Sequence, residues 1–202
     1  MENDTRSKLV EVATQLFATK GYAAVSIREL TVAAQVNVSA ISYYFNGKEG
    51  LYQAVLEDQL APILGALQAA KKKGFLSSTE RLAFYADQVE AIHLQRPFIS
   101  RFIQMEIINP THFGGPVIEK HLTQAFLFVN TVLQEGIANS EFRPDLDSSY
   151  ATIALIGILN FYFIAHPLLP RLLSEPKPAH SERQYITHAF QVYLHGIMNV
   201  PV

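Results

Sequence analysis

Val38, Ser39, Ser42 and Tyr43 have side chains that are small or hydrogen-bonding, and their spacing gathers them on one side of a short helix. Such a set can approach base edges in the major groove of a duplex. Around it stand groups suited to phosphate oxygens. Tyr44 and Lys48 follow it, and Ser26 and Arg28 precede it at a helix start, where backbone N–H groups add to the attraction. Asn37, immediately ahead, can cap the helix and belongs with the groups facing nucleic acid. Enzymatic chemistry finds no comparable arrangement. The seven histidines never fall into H-E-x-x-H, and neither G-x-S-x-G nor a glycine-rich phosphate loop occurs. His188 and His195 can share a helix face but lack an acidic companion. The absence of cysteine removes disulfides, thiolate metal sites and cysteine nucleophiles together. No catalytic residue, metal or cofactor is therefore expected.

Side chains that read a groove need a rigid frame, and the surrounding periodicity supplies one. Leu9, Val12, Ala13, Leu16 and Phe17 recur at helical spacing, and Gly21 stops that helix. Ser26-Ile-Arg-Glu29 has the spacing of a capping box and opens a second helix to about Ala34. Gln35-Val36-Asn37 leaves room only for a tight turn before a third helix, Val38 to about Tyr44. In this reading Ile27, Leu30, Ala33 and Ala34 pack against Val36, Ile41 and Phe45, fixing the angle between the two short helices. A long fourth helix resumes at Lys48 on the stripe Leu51, Val55, Leu56, Leu60, Ile63, Leu64 and Leu67; Pro62 should bend it, and Lys71-Lys72-Lys73-Gly74 closes it.

Within Phe17 to about Leu51, the runs F-A-T-K-G-Y-A-A-V-S-I-R-E-L and A-A-Q-V-N-V-S-A-I-S-Y-Y-F-N-G-K-E-G-L resemble the signature of the TetR/AcrR family of transcriptional regulators. The wording V-N-V-S-A-I-S-Y-Y-F, with M-E-I-I-N-P-T-H-F further on, is similar to the CecR-like branch. The resemblance implies that the positions of Ser26, Arg28, Tyr43, Tyr44 and Lys48 touch the DNA backbone while the helix from Val38 reads bases. It also implies a repressor that binds a palindromic operator as a homodimer and is released by a small-molecule inducer. A ligand-independent regulator or an activator is the alternative. Two positions depart from the pattern: Gln35 stands where the family usually has Gly, and Tyr44 where His is more usual. A positive φ at the first would be strained.

The rest of the chain reads as helices at Ser78 to Gln95, Pro97 to Ile108, Pro116 to about Asn139, Asp147 to His166 and Ser181 to Asn199. The expected architecture is all-α, about nine helices, with a DNA-binding head over 1–47 and a larger ligand-binding and dimerisation domain over 48–202. Hydrophobic residues at 49% and charged ones at 17% suit a folded globular chain, and the net charge of −2 attracts no polyanion, so DNA binding must rest on placement. The N-terminus has no uninterrupted apolar core, which points to the cytoplasm. Ser148 to Pro170 lacks charge and is long enough to span a bilayer, but Asn160 and His166-Pro167 interrupt it, so a helix buried on most sides is expected and no membrane partner.

Small heads reading double-stranded DNA need a fixed separation, hence dimerisation. The Ala151 to Ala165 run, where Gly157 permits close approach, is the expected interface, paired with Phe190, Tyr193, Leu194 and Ile197 of the last helix. The middle helices would surround a pocket for an apolar or aromatic inducer, lined by Phe102, Met105, Glu106, His121, Phe126, Asn130, Asn160 and Tyr162. Glu106, if it faces inward, needs a partner or a cationic ligand.

Overall fold

The structure, a computed structural model, describes residues 2–172 and 181–199, and among these every regular element is helical. The ten helices are α1 (Glu2–Lys20), α2 (Ile27–Ala34), α3 (Ser39–Phe45), α4 (Lys48–Lys72), α5 (Ser78–Gln95), α6 (Ile99–Ile108), α7 (Gly115–Ala138), α8 (Ser148–Ala165), α9 (Leu169–Leu172) and α10 (Ser181–Ile197). The one-turn α9 has no counterpart in the sequence reading, where Pro170 reads as a breaker, although a first-turn proline loses no helical hydrogen bond. Pro97 and Phe98 stand in a turn ahead of α6 rather than inside it. Two compact units divide the chain. One takes the residues up to Pro62 together with Arg101–His121; the other takes Ile63–Ser100 and the chain from Leu122 onward.

In the first unit α1 packs on α2 and α3. Leu9, Ala13 and Phe17 of α1, Leu30 and Ala34 of α2, and Ile41 and Phe45 of α3 are buried together with Val25. The phase of α2 corrects the sequence reading. Thr31 is buried, whereas Ile27 and Ala33 lie at the surface, since the inward face of so short a helix holds one residue per turn plus its neighbour. The capping box forms as read: Ser26 Oγ accepts from the Glu29 N–H at 3.1 Å. The hydrogen bond from Lys20, with the Ser26 N–H, holds the Glu29 carboxyl below its usual value.

Gln35 ends α2 in the left-handed region, at φ 55° and ψ 47°. That conformation costs a residue with a Cβ about 1–2 kcal/mol. Glycine escapes the clash but loses more freedom on folding, by about 0.5–1 kcal/mol. Gln35→Gly is thus expected to stabilise the protein by up to about 1 kcal/mol, read as a higher urea midpoint with an unchanged slope.

In the second unit α10 packs on α8 and α5, and α5 on α8. Leu82, Val89, Val129, Leu133, Phe142, Leu155, Leu159 and Ile186 form its core. Tyr193 and Ile197 belong to that core, and Phe190 and Leu194 pack against it, so the last-helix stripe expected at a dimer interface is used within the chain. Helix α8 also differs from expectation. Only 33% of its apolar run is buried, and Tyr150, Ile153, Phe161 and Ile164 remain exposed along one face with Gly157 among them. It is the one helix among the described residues long and apolar enough to cross a membrane. Its uniformly apolar sequence hid that only one side has a partner within the chain.

Candidate nucleic-acid interface

The turn between α2 and α3 is built by local hydrogen bonds. The Asn37 carboxamide oxygen accepts from the Ser39 N–H and hydroxyl, both at 2.9 Å, and so holds the start of α3, which begins one residue later than the sequence suggests. Asn46, at φ 57°, ends α3, and its N–H donates to the Ser42 carbonyl. Gly50 lets α4 begin against this end: a Cβ there would lie 1.8 Å from the Phe45 carbonyl oxygen.

This frame buries Ile41 and Phe45 and turns the other face of α3 outward. Val38 is 56% and Tyr43 72% exposed, and Ser39 and Ser42 are exposed beside them. A large aromatic and a branched aliphatic thus face outward beside two hydroxyl groups. Ser26, Arg28 and Asn37 are exposed as well, and Arg28 forms no ion pair among the described residues. Tyr44 is half-buried, its ring edge-on to Tyr43 at 4.8 Å. Lys48 is half-buried too, with its amine 4.2 Å from the centre of the Tyr22 ring. Burial draws its pKa below the usual lysine value. All nine residues picked from sequence therefore belong to the first unit, and Ser26, Asn37 and Ser39 also stabilise the turns that present the others.

The eight residues picked for an inducer pocket divide between the units. Phe102, Met105, Glu106 and His121 fall in the first. Phe102 is fully buried and lies edge-on to Tyr52. Glu106 faces inward, 4% exposed, but its partners come from the chain itself. Tyr52 donates its hydroxyl to Oε1 at 2.9 Å, the Thr111 N–H donates to Oε2 at 2.9 Å, and the Thr111 hydroxyl reaches both oxygens. Burial is the main cause, and the bond to Glu106 the next, of a Tyr52 pKa far above the ordinary phenol value. His121 is fully buried, with Nδ1 2.8 Å from the Val117 carbonyl and Nε2 3.4 Å from the Glu57 carboxylate.

Phe126, Asn130, Asn160 and Tyr162 fall in the second unit. Asn130 donates to Ser148 and Thr152, Asn160 donates to the Ile156 carbonyl of its own helix, and Tyr162 stacks on Tyr185 at 4.7 Å. None of the eight lines a cavity of about 470 Å³ in the second unit. Its walls are Leu64, Leu67, Gln68, Ala70 and Lys71 of α4, Arg81 of α5, and Gln124, Leu127, Phe128 and Thr131 of α7.

A three-helix head that buries one side of a capped short helix and exposes the other is the architecture of a helix-turn-helix DNA-binding protein. Residues 9–55 match the bacterial regulatory proteins of the tetR family. The chain is 28% identical over 144 residues to a probable HTH-type transcriptional regulator, YttP of Bacillus subtilis, covering 70% of this chain and 69% of that one. It is 26% identical over 152 residues to the HTH-type transcriptional repressor KstR2 of Mycolicibacterium smegmatis, covering 70% and 69%. The transcriptional regulator FadR of Bacillus subtilis, solved in complex with stearoyl-CoA, shares the fold with a TM-score of 0.75 at 17% identity, over 95% of this chain and 98% of that one. Over residues 9–55 the chain carries the DNA-binding region of the tetR family, and the relatives it resembles along most of its length are helix-turn-helix transcriptional regulators. None of this bears on the CecR-like branch, which stays a resemblance.

Proposed function

We propose that the protein is a cytoplasmic, ligand-responsive repressor, not an enzyme, that binds a palindromic operator in double-stranded DNA as a homodimer and is released by a small-molecule inducer. The observation that carries this reading is the exposed face of α3, Val38, Ser39, Ser42 and Tyr43, on a head whose opposite face is buried. Ser26, Arg28, Asn37, Tyr44 and Lys48 serve the backbone around that face. One such head spans only a few base pairs. Two heads about 34–36 Å apart meet successive major grooves on one side of the duplex. The exposed apolar face of α8 supports a second copy as the partner, because an uncovered stripe of Tyr150, Ile153, Phe161 and Ile164 is unfavourable in water and a two-fold axis would cover both copies at once.

The cavity of the second unit supports a ligand site: it falls within the range of about 300–1,000 Å³ typical of small-molecule pockets. Helix α4 runs from the head into the cavity wall, and the division between the units falls within it, after Pro62. A ligand that favours one setting of this helix would shift the population of dimers whose heads fit the operator.

The test is selection of genomic fragments by the purified protein, repeated with Tyr43→Ala and with added salt. Wild type is expected to enrich a palindromic site with an affinity that falls steeply with salt. Tyr43→Ala is expected to lose about tenfold, equivalent to about 1.4 kcal/mol. Absence of any enriched site at low salt would overturn the repressor reading.

A further inference from the structure

The walls of the second unit's cavity carry two cationic side chains, Lys71 and Arg81, and no acidic one. We infer that this cavity takes an amphipathic anion, an aliphatic acyl chain ending in a carboxylate or phosphate-bearing head, with the head on Lys71 and Arg81 and the chain along Leu64, Leu67 and Leu127. This deepens the ligand-responsive reading above and rests on it for its regulatory meaning, although not for its measurement.

Charge decides the class of ligand. Lys71 forms no ion pair among the described residues. Arg81 is held by Glu135 through one guanidinium nitrogen and lies over the Phe128 ring, its carbon 5.9 Å from the ring centre. A guanidinium offers five N–H donors, so a second anion can share it. A cationic ligand would be repelled by both groups, and a neutral one would gain nothing from their charge. An anion can form charge-assisted hydrogen bonds to both. Gln68, Gln124 and Thr131 add hydrogen-bonding groups to the same walls.

Shape decides the rest of the molecule. Phe128 is the only aromatic residue in the lining, and Arg81 occupies a face of its ring. The remaining apolar wall is aliphatic, which suits a flexible chain better than a planar ring system. An aliphatic anion is a narrower ligand class than the apolar or aromatic compound expected from sequence. Glu106, the carboxylate that suggested a cation, is not in this wall and is satisfied by Tyr52 and Thr111.

The experiment is calorimetric titration of the full chain, without DNA, using decanoate, decanoyl-coenzyme A and decanol below their aggregation limits. At least one of the two anions is expected to bind at one site per chain, at least about tenfold more tightly than decanol. Preference between them identifies the head as carboxylate or phosphate-bearing. Lys71→Gln, at an exposed position that the fold does not need, is expected to weaken the bound anion by about tenfold. Leu127→Glu, also exposed, places a like charge in the wall and is expected to abolish binding. Lys72→Gln lies outside the lining and should leave binding unchanged. The inference is overturned if decanol binds as well as the anions, if no compound saturates, or if Lys71→Gln and Leu127→Glu bind as wild type does with unchanged melting curves. Failure of the repressor reading would instead show in the fragment selection, which contains none of these compounds.

Discussion

Gly50→Ala is expected to reduce DNA binding to the non-specific background and to destabilise the head by about 3 kcal/mol, the upper end of the range for overpacking. The added methyl would stand 1.8 Å from the Phe45 carbonyl oxygen, less than any non-bonded contact allows. A flexible side chain could swing away, but the atom in the way is backbone. Relief therefore requires α3 and the start of α4 to separate at Asn46–Gly47, where both residues already hold positive φ. Phe45 would lose its seat, and with it the angle at which Val38, Ser39, Ser42 and Tyr43 are presented. Specific sites are typically bound about a thousandfold or more tightly than random DNA, so loss of that angle is a large effect.

Gly65→Ala provides the matching control within α4. A Cβ there meets nothing within 4 Å, and the position is exposed. Alanine in a helix interior is favoured over glycine by about 0.5–1 kcal/mol. The control is expected to bind DNA as wild type does and to unfold at slightly higher urea. Fluorescence anisotropy on a labelled operator and urea unfolding read both quantities. Equal behaviour of the two variants would show that the close approach at Gly50 does not set the position of α3.

The head was legible in sequence because short-range chemistry decides it. The capping box at Ser26, the bond from Ser39 to Asn37 and the apolar phase of α1 each act over a few residues, and each forms. The bounds of α5, α7 and α8 were legible for the same reason, from caps and prolines. What sequence hid depends on which faces meet. Tyr52 sits in the α4 stripe between Leu51 and Val55, yet its hydroxyl reaches a residue 54 positions away, and no local signal announces that bond. The cavity wall escaped because Gln68, Lys71, Gln124 and Thr131 read as a solvated helix surface. The residues expected at an inducer pocket lie instead on apolar helix faces, where Phe102 and Tyr162 are buried. Uniformly apolar α8 carried no phase from which its open side could be read.

Glu106→Ala is expected to destabilise the protein by about 3 kcal/mol, because it strands the buried Tyr52 hydroxyl and unties Thr111 rather than removing a contact alone. The Tyr52 hydroxyl is buried and donates to Glu106, and the Thr111 N–H and hydroxyl donate to the same carboxylate. Each buried donor left without a partner costs about 1–3 kcal/mol. The Thr111 hydroxyl oxygen also accepts from the Gly114 N–H, so the carboxylate anchors the whole turn between α6 and α7. That turn places Phe113, whose ring meets Tyr22 and Tyr52, while Tyr52 lies edge-on to Phe17 of α1. Loss of the carboxylate should therefore loosen the core beneath the DNA-binding head and raise the dissociation constant for the operator as well. Glu106→Gln separates this role from that of a ligand's counter-charge. An amide keeps one acceptor for the Tyr52 hydroxyl but turns an NH₂ toward the Thr111 N–H, so about 1–2 kcal/mol is expected to be lost without any ligand present. A counter-charge would behave in the opposite way: Glu106→Gln would leave urea unfolding of the free protein unchanged and alter only the response to cationic compounds. The hydrogen bonds to Tyr52 and Thr111 already occupy both carboxylate oxygens, which is why the loss of stability is the expected result.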